Sequence, residues 1–171
     1  MSTEEAPAAW AQWTQARPDL DLSTMSVFGG LIHAHTMLEL LLEPVFESSP
    51  ISSSEFDVLF HLRHAPEPTI ARRLARTIGR SAAALSKALA KLERRGLVER
   101  VANPADKRSA LVTISETGAA AVDEVIPRRL ALEARAVSTL TDRQRSDVAR
   151  AFRLIARTIQ DAAQREALPS R

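Results

Sequence analysis

The sequence predicts a mainly α chain carrying one small β-ribbon, and three observations point there. Apolar residues recur at helical spacing in six stretches, a serine or threonine helix-start precedes five of them, and only between Leu97 and Ile114 does the apolar period fall to two. At 171 residues, 45% hydrophobic and 26% charged, the chain is long enough for one domain with appended helices and apolar enough to fold.

Residues 1–24, rich in Pro, Ala and polar side chains, read as an N-terminal arm. From Met25 to Phe46 the spacing of Leu31, His35, Leu38, Leu42 and Val45 predicts a long helix whose apolar seam seeks a partner. Ser52 and Glu55 have capping-box spacing and open a second helix, EFDVLFHL, which Pro66 and Pro68 end. Thr69 is expected to cap a short third helix, with Gly79 supplying the bend after it. Ser81 caps a fourth, to about Arg95, with Leu85, Ala88, Leu89 and Leu92 inward. Ala83, Ser86, Lys87, Lys91 and Arg94 project on its opposite side.

LVERV and ALVTI then form a hairpin around a charged tip, ANPADKRS. Ser115 opens a helix that Pro127 is expected to kink or divide. Thr141 and Gln144 open the last, whose Val148, Phe152, Ile155, Ile159 and Ala162 make a heptad-like seam. Helix, turn, helix and two-stranded ribbon over 52–115 is the order of a winged helix-turn-helix. The stretches 25–47 and 116–165 form a helical dimerisation region, their seams packing within the chain and across a two-fold axis.

Charge is distributed to match. Residues 1–68 carry a net −8, residues 69–108 a net +8 and residues 109–171 a net +2. A positive block that coincides with the helix-turn-helix is the electrostatic footprint of a polyanion binder. With 4% aromatic residues and no Tyr, a base-stacking platform for single strands has little to be built from, which leaves double-stranded DNA. The second helix of the pair would enter the major groove and the ribbon tip the backbone or minor groove. The expected DNA contacts are Thr69, Ser81, Ala83, Ser86, Lys87, Lys91, Asp106, Lys107 and Arg108. Arg108 has the reach and permanent charge for a narrow minor groove, with Asp106 placed to hold its guanidinium. Ala82, Ala83 and Ala84 offer methyl groups only, so base-specific hydrogen bonding is sparse and shape carries more of the operator choice.

The run LSKALAKLERRGLVERVANPADKRSALVTISETG resembles the MarR family of bacterial transcriptional regulators. The matching positions are Ser86, Lys87, Leu92, Glu93, Gly96 to Val98, Asp106, Arg108, Ile114, Ser115 and Gly118. The resemblance implies a homodimer that binds a palindromic operator and releases it when a small molecule binds. More narrowly, a tryptophan at Trp10 or Trp13, ARPDLD, Met25 and EFDVL resemble the urate-responsive branch. The chain departs from that branch at Gly30 and Ala88, where the branch carries arginine.

Asp57, His61 and His64 share one stripe of the second helix. They could grip a polar ligand, respond to pH, bind a divalent metal or merely pair with one another. The expected ligand residues are Trp13, His35, Asp57 and His61, with no metal and no cofactor. Enzyme chemistry is not expected: there is no Gly-rich phosphate loop, no nucleophile elbow and no cysteine. The acidic start and the Glu39, Glu43 and Pro44 interruptions favour neither export nor membrane insertion, so a cytoplasmic protein is expected. The rival reading is an architectural DNA-binding or interaction module with no effector.

Overall fold

A computed structural model describes residues 12, 13, 15–106 and 108–166. Trp10 and Lys107 lie outside the described residues. The elements follow in order as α1 (Met25–Glu47), α2 (Ser53–Arg63), β1 (Thr69–Ile70), α3 (Ala71–Thr77), α4 (Ala82–Arg94), β2 (Val98–Ala102), β3 (Ala110–Ile114), α5 (Glu116–Ala136) and α6 (Asp142–Glu166). The fold is mainly helical with a small antiparallel sheet, the winged-helix arrangement.

The sheet has three strands, not the two that alternation predicts, in the order β1-β3-β2. Thr69 and Ile70, expected to begin a helix, instead pair with Val112 and Leu111 of β3. The cap of α3 is therefore Ile70, with no side-chain cap bond. Two residues are too few to show a period, and the pairing partner is distant in sequence. On the other side β2 runs against β3 from Val98↔Ile114 to Ala102↔Ala110.

The chain divides into two compact units, Met1–Ile126 and Pro127–Arg171. The core of the first gathers Phe56, Val58 and Leu59 of α2, Leu74 of α3, Leu85, Leu89 and Leu92 of α4, Val112 of β3, and Val122 and Val125 of α5. Burial of each such side chain stabilises by about 1.5–3 kcal/mol relative to exposure. Phe46, Phe56 and Phe60 form a ring series with centroids 5.6 and 5.5 Å apart. At the base of the ribbon, a Cβ on Gly118 would lie 2.1 Å from the Leu97 carbonyl oxygen, so α5 starts there only because the residue is glycine. Ser115 secures the same corner, donating from Oγ to the Gly96 carbonyl and accepting from Gly118 N–H.

Pro44 and Pro127 do not end their helices. Pro44 falls in the last turn of α1, where little ladder remains to lose, and Pro127 is tolerated within α5 at the boundary between the two units. The α1 seam is only partly covered. Leu42 and Val45 are buried, Leu31 and Leu38 are half-buried, and Val27, Phe28, Ile32, Met37 and Leu40 are exposed. Its 23 residues include an 18-residue window of mean hydropathy 1.3, long and apolar enough by length and composition to cross a membrane, so its charges interrupt the seam less than the sequence suggests. No residue of α6 is buried, and Val148, Phe152, Leu154 and Ile159 stand exposed.

Candidate nucleic-acid interface

Two elements present the candidate surface. The first, α4, begins where Gly79 turns the chain at φ +66° and Ser81 Oγ accepts from Ala84 N–H at 3.2 Å. Leu85, Leu89 and Leu92 are fully buried, which orients the helix and leaves Ala83, Ser86, Lys87, Lys91 and Arg94 exposed on the far side. Lys87 and Arg94 pair with no carboxylate among the described residues. Lys91 does: its Nζ lies 3.0 Å from Glu55 Oε1.

The ribbon tip is the second. Asn103 Oδ1 accepts from Ala105 N–H, Asn103 Nδ2 donates to Ser109 Oγ at 2.9 Å, and the Ser109 N–H and Oγ both donate to the Asp106 carbonyl. The tip is thus a hydrogen-bonded turn rather than a loose loop. Asp106 acts differently from expectation: its Oδ1 accepts from the backbone N–H of Arg108 at 2.9 Å and makes no ion pair with the guanidinium. An Asx turn satisfies the carboxylate locally and leaves the Arg108 guanidinium exposed and unpaired among the described residues. For a minor-groove probe, an uncompensated guanidinium is the more effective arrangement. Thr69, also expected at the interface, is a half-buried residue of β1.

Behind these elements lies a network that sequence reasoning missed. Glu55 is buried at 5% exposure, and its Oε1 also sits 2.7 Å from Arg95 Nη1. Neither cation meets hydrogen-bond geometry at Oε1, so the contacts are ionic. Burial pushes the Glu55 carboxyl up, but the Arg95 guanidinium, the Ser52 backbone N–H and the Lys91 ammonium beside it outweigh that and hold the group at about 2. The spacing of Lys91 and Arg95, one helical turn apart, was the available signal for a shared anion.

The expected Asp57–His61–His64 stripe is redirected. Asp57 Oδ2 pairs with Arg80 Nη2 at 3.1 Å, tying α2 to the turn before α4. His61 and His64 each place Nδ1 within hydrogen-bond distance of the backbone carbonyl one turn earlier, Asp57 and Phe60, at 2.8 and 2.9 Å. Because a carbonyl only accepts, each Nδ1 is the protonated nitrogen and each Nε2 is left for another partner. Both histidines line a cavity of about 340 Å³ between α2, the Pro66–Pro68 turn and α3, together with Phe60, Thr69, Arg73 and Leu74. Trp13 and His35 are exposed, and no hydrogen bond or ring contact joins either to Asp57 or His61 among the described residues. No group of three or more His, Cys, Asp or Glu side chains is placed to hold a metal among the described residues.

Comparison with known proteins gives this arrangement its family. The profile described as MarR family matches residues 49–109, the span from the start of α2 through the ribbon tip. The HTH-type transcriptional regulator PecS of Dickeya dadantii is 27% identical over 137 residues, covering 79% of this chain and 82% of PecS. A mutant of MarR from E. coli, solved in complex with operator DNA, superposes with a TM-score of 0.70 at 26% identity, over 80% of this chain and 99% of that one. Residues 49–109 of the chain thus carry a MarR-family domain. A second DNA-bound member, Sco3205 of Streptomyces coelicolor, gives a TM-score of 0.72 at 25% identity, over 82% and 90% of the two chains. The matched span holds the winged helix, and both of these neighbours were solved bound to DNA.

Proposed function

We propose that this chain is a homodimeric repressor of the MarR type that places α4 of each subunit in successive major grooves of a palindromic operator and is released by a small molecule. The observation that carries the DNA geometry is the sidedness of α4: three fully buried leucines fix one face, and Ser86 and Lys87 stand exposed on the other. The unpaired Arg108 at the ribbon tip extends that surface toward the adjacent minor groove. The DNA-bound relatives, MarR and Sco3205, share this fold along most of their length.

Dimerisation is supported by the apolar residues that α1 and α6 leave exposed, which in water favour a second apolar surface. The alternation of Glu39 and Glu43 with apolar positions fits α1 to a protein partner better than to a hydrocarbon layer. Half-site centres are then expected about 10 bp apart. The family is one of DNA-binding regulators rather than enzymes, and a cytoplasmic location follows from contact with the genome.

For the effector, the cavity between α2 and α3 has the size and lining for a small aromatic acid. Arg73 would meet the carboxylate, the Nε2 atoms of His61 and His64 would accept from ring hydroxyls, and Phe60 and Leu74 would cover the ring face. An occupant would bear directly on α3, the helix preceding α4. Of the four residues expected to bind ligand, His61 lies in this cavity; Asp57 would act by holding Arg80, and Trp13 and His35 do not line it.

The test is an anisotropy titration against the DNA upstream of the protein's own gene, in competitor DNA. Preference of about a thousandfold or more over competitor supports the repressor, and little preference with an equally steep salt dependence supports the architectural reading. Arg108→Ala is expected to weaken operator binding by about 1–3 kcal/mol; unchanged affinity would remove the ribbon tip from the interface.

A further inference from the structure

Glu55 is the one buried polar or charged side chain among the described residues, and it makes more contacts than a helix cap needs. Its Oε2 accepts from Ser52 N–H at 3.0 Å and Ser52 Oγ accepts from Glu55 N–H at 3.3 Å, which completes the capping box of α2. A capping box uses one carboxylate oxygen and no cation; a neutral glutamine serves as well. The other oxygen, Oε1, faces Lys91 and Arg95 across the domain, at the C-terminal end of α4. Arg95 in turn donates from Nη2 to the Pro50 carbonyl in the segment between α1 and α2. One carboxylate thereby joins the start of α2, the segment before it and the last turn of α4.

We infer that Glu55 is a positioning residue for the DNA-facing helix, and that it withholds Lys91 from the phosphate backbone. The inference rests on the reading of α4 as the major-groove helix. Of the cations along α4, Lys91 has its charge matched within the protein, whereas Lys87 and Arg94 do not. A lysine that reaches phosphate adds affinity for every sequence alike, because the backbone carries no base identity. Binding Lys91 to a buried carboxylate lowers that indiscriminate affinity while Arg95 holds the helix end at fixed depth.

The experiment measures salt dependence of binding to the upstream DNA and to an unrelated duplex, for the full chain and for Lys87→Ala, Lys91→Ala, Glu55→Gln and Glu55→Gln/Lys91→Ala. Each phosphate contact contributes about 0.9 to the slope of log affinity against log salt. Lys91→Ala is expected to leave the slope unchanged, whereas Glu55→Gln frees Lys91 and steepens it by about one on both duplexes, with the specific-to-non-specific ratio unchanged. The double variant is expected to return to the wild-type slope. A merely structural Glu55 would lower both affinities together with folded fraction and leave the slope where it was. That result, or a slope shallower by about one for Lys91→Ala, overturns the inference. If Glu55→Gln does not fold, the Lys91→Ala slope decides alone. Lys87→Ala separates the two levels: a shallower slope there upholds the placement of α4 on DNA, and no change overturns that placement whatever Lys91 does.

Discussion

Helices α4 and α6 are both amphipathic, and the protein treats their apolar sides in opposite ways. In α4 the leucine stripe is fully buried by neighbours close in sequence, whereas in α6 no side chain is buried. The stripe of α4 is satisfied by the fold of one chain; that of α6, with Phe152 at 49% and Leu154 at 67% exposure, is left uncovered among the described residues. Periodicity therefore reports that a face must be covered and is silent about what covers it.

The contrast can be broken most forcefully in α4. Leu89→Ala removes a fully buried side chain and is expected to cost about 2–5 kcal/mol, independent of protein concentration, in a urea melt. Glu55→Gln comes next, at about 2–4 kcal/mol near neutral pH, on the scale of a broken buried ion pair moderated by the exposure of Lys91. Its sign with pH is fixed by the depressed carboxyl. The contribution is fully present above the ordinary value near 4.5 and is lost as pH falls through about 2, so wild type and Glu55→Gln should converge in acid. A stability gap that stays constant down to pH 2.5 would show that the charge on Glu55 contributes nothing.

On the α6 side, Phe152→Ala is expected to cost about 1.5–3 kcal/mol per chain, and only in the associated state. Sedimentation should show a weaker dimer, and the wild-type melting temperature should rise with concentration more than the variant's. A concentration-independent melt for both would leave the α6 seam without a partner. Ser81→Ala is the smallest change, about 1 kcal/mol from loss of the α4 cap, read in the same urea melt.

Most of the architecture was legible because its signals are local. The Ser52 and Glu55 capping box, the Leu85–Leu89–Leu92 spacing and the alternation in LVERV each sit within a few residues, and each element formed where expected. What escaped depends on partners distant in the chain. Thr69 and Ile70 carry no period of their own and become a strand only because β3 offers an edge. Asp57 was grouped with His61 by helical spacing, yet Arg80 claims it from across the helix-turn-helix, and His61 is satisfied by its own helix. Glu55 was legible as a cap and illegible as the anion shared by Lys91 and Arg95, since nothing in spacing says which helix ends meet. Asp106 shows the reverse failure: a paired guanidinium was the obvious guess from sequence, and a two-residue backbone turn satisfied the carboxylate first.

The lysines have a practical consequence for chemistry at this surface. The chain has only three, Lys87, Lys91 and Lys107, against twenty arginines, and all three belong to α4 or the segment between β2 and β3. An amine-directed acylating reagent therefore has, apart from the α-amino group, only these three side chains to react with, two on α4 and one between β2 and β3. On the proposed placement of α4, acetylation of Lys87 or Lys107 would act as a local dimmer of DNA affinity rather than a general perturbation of the fold.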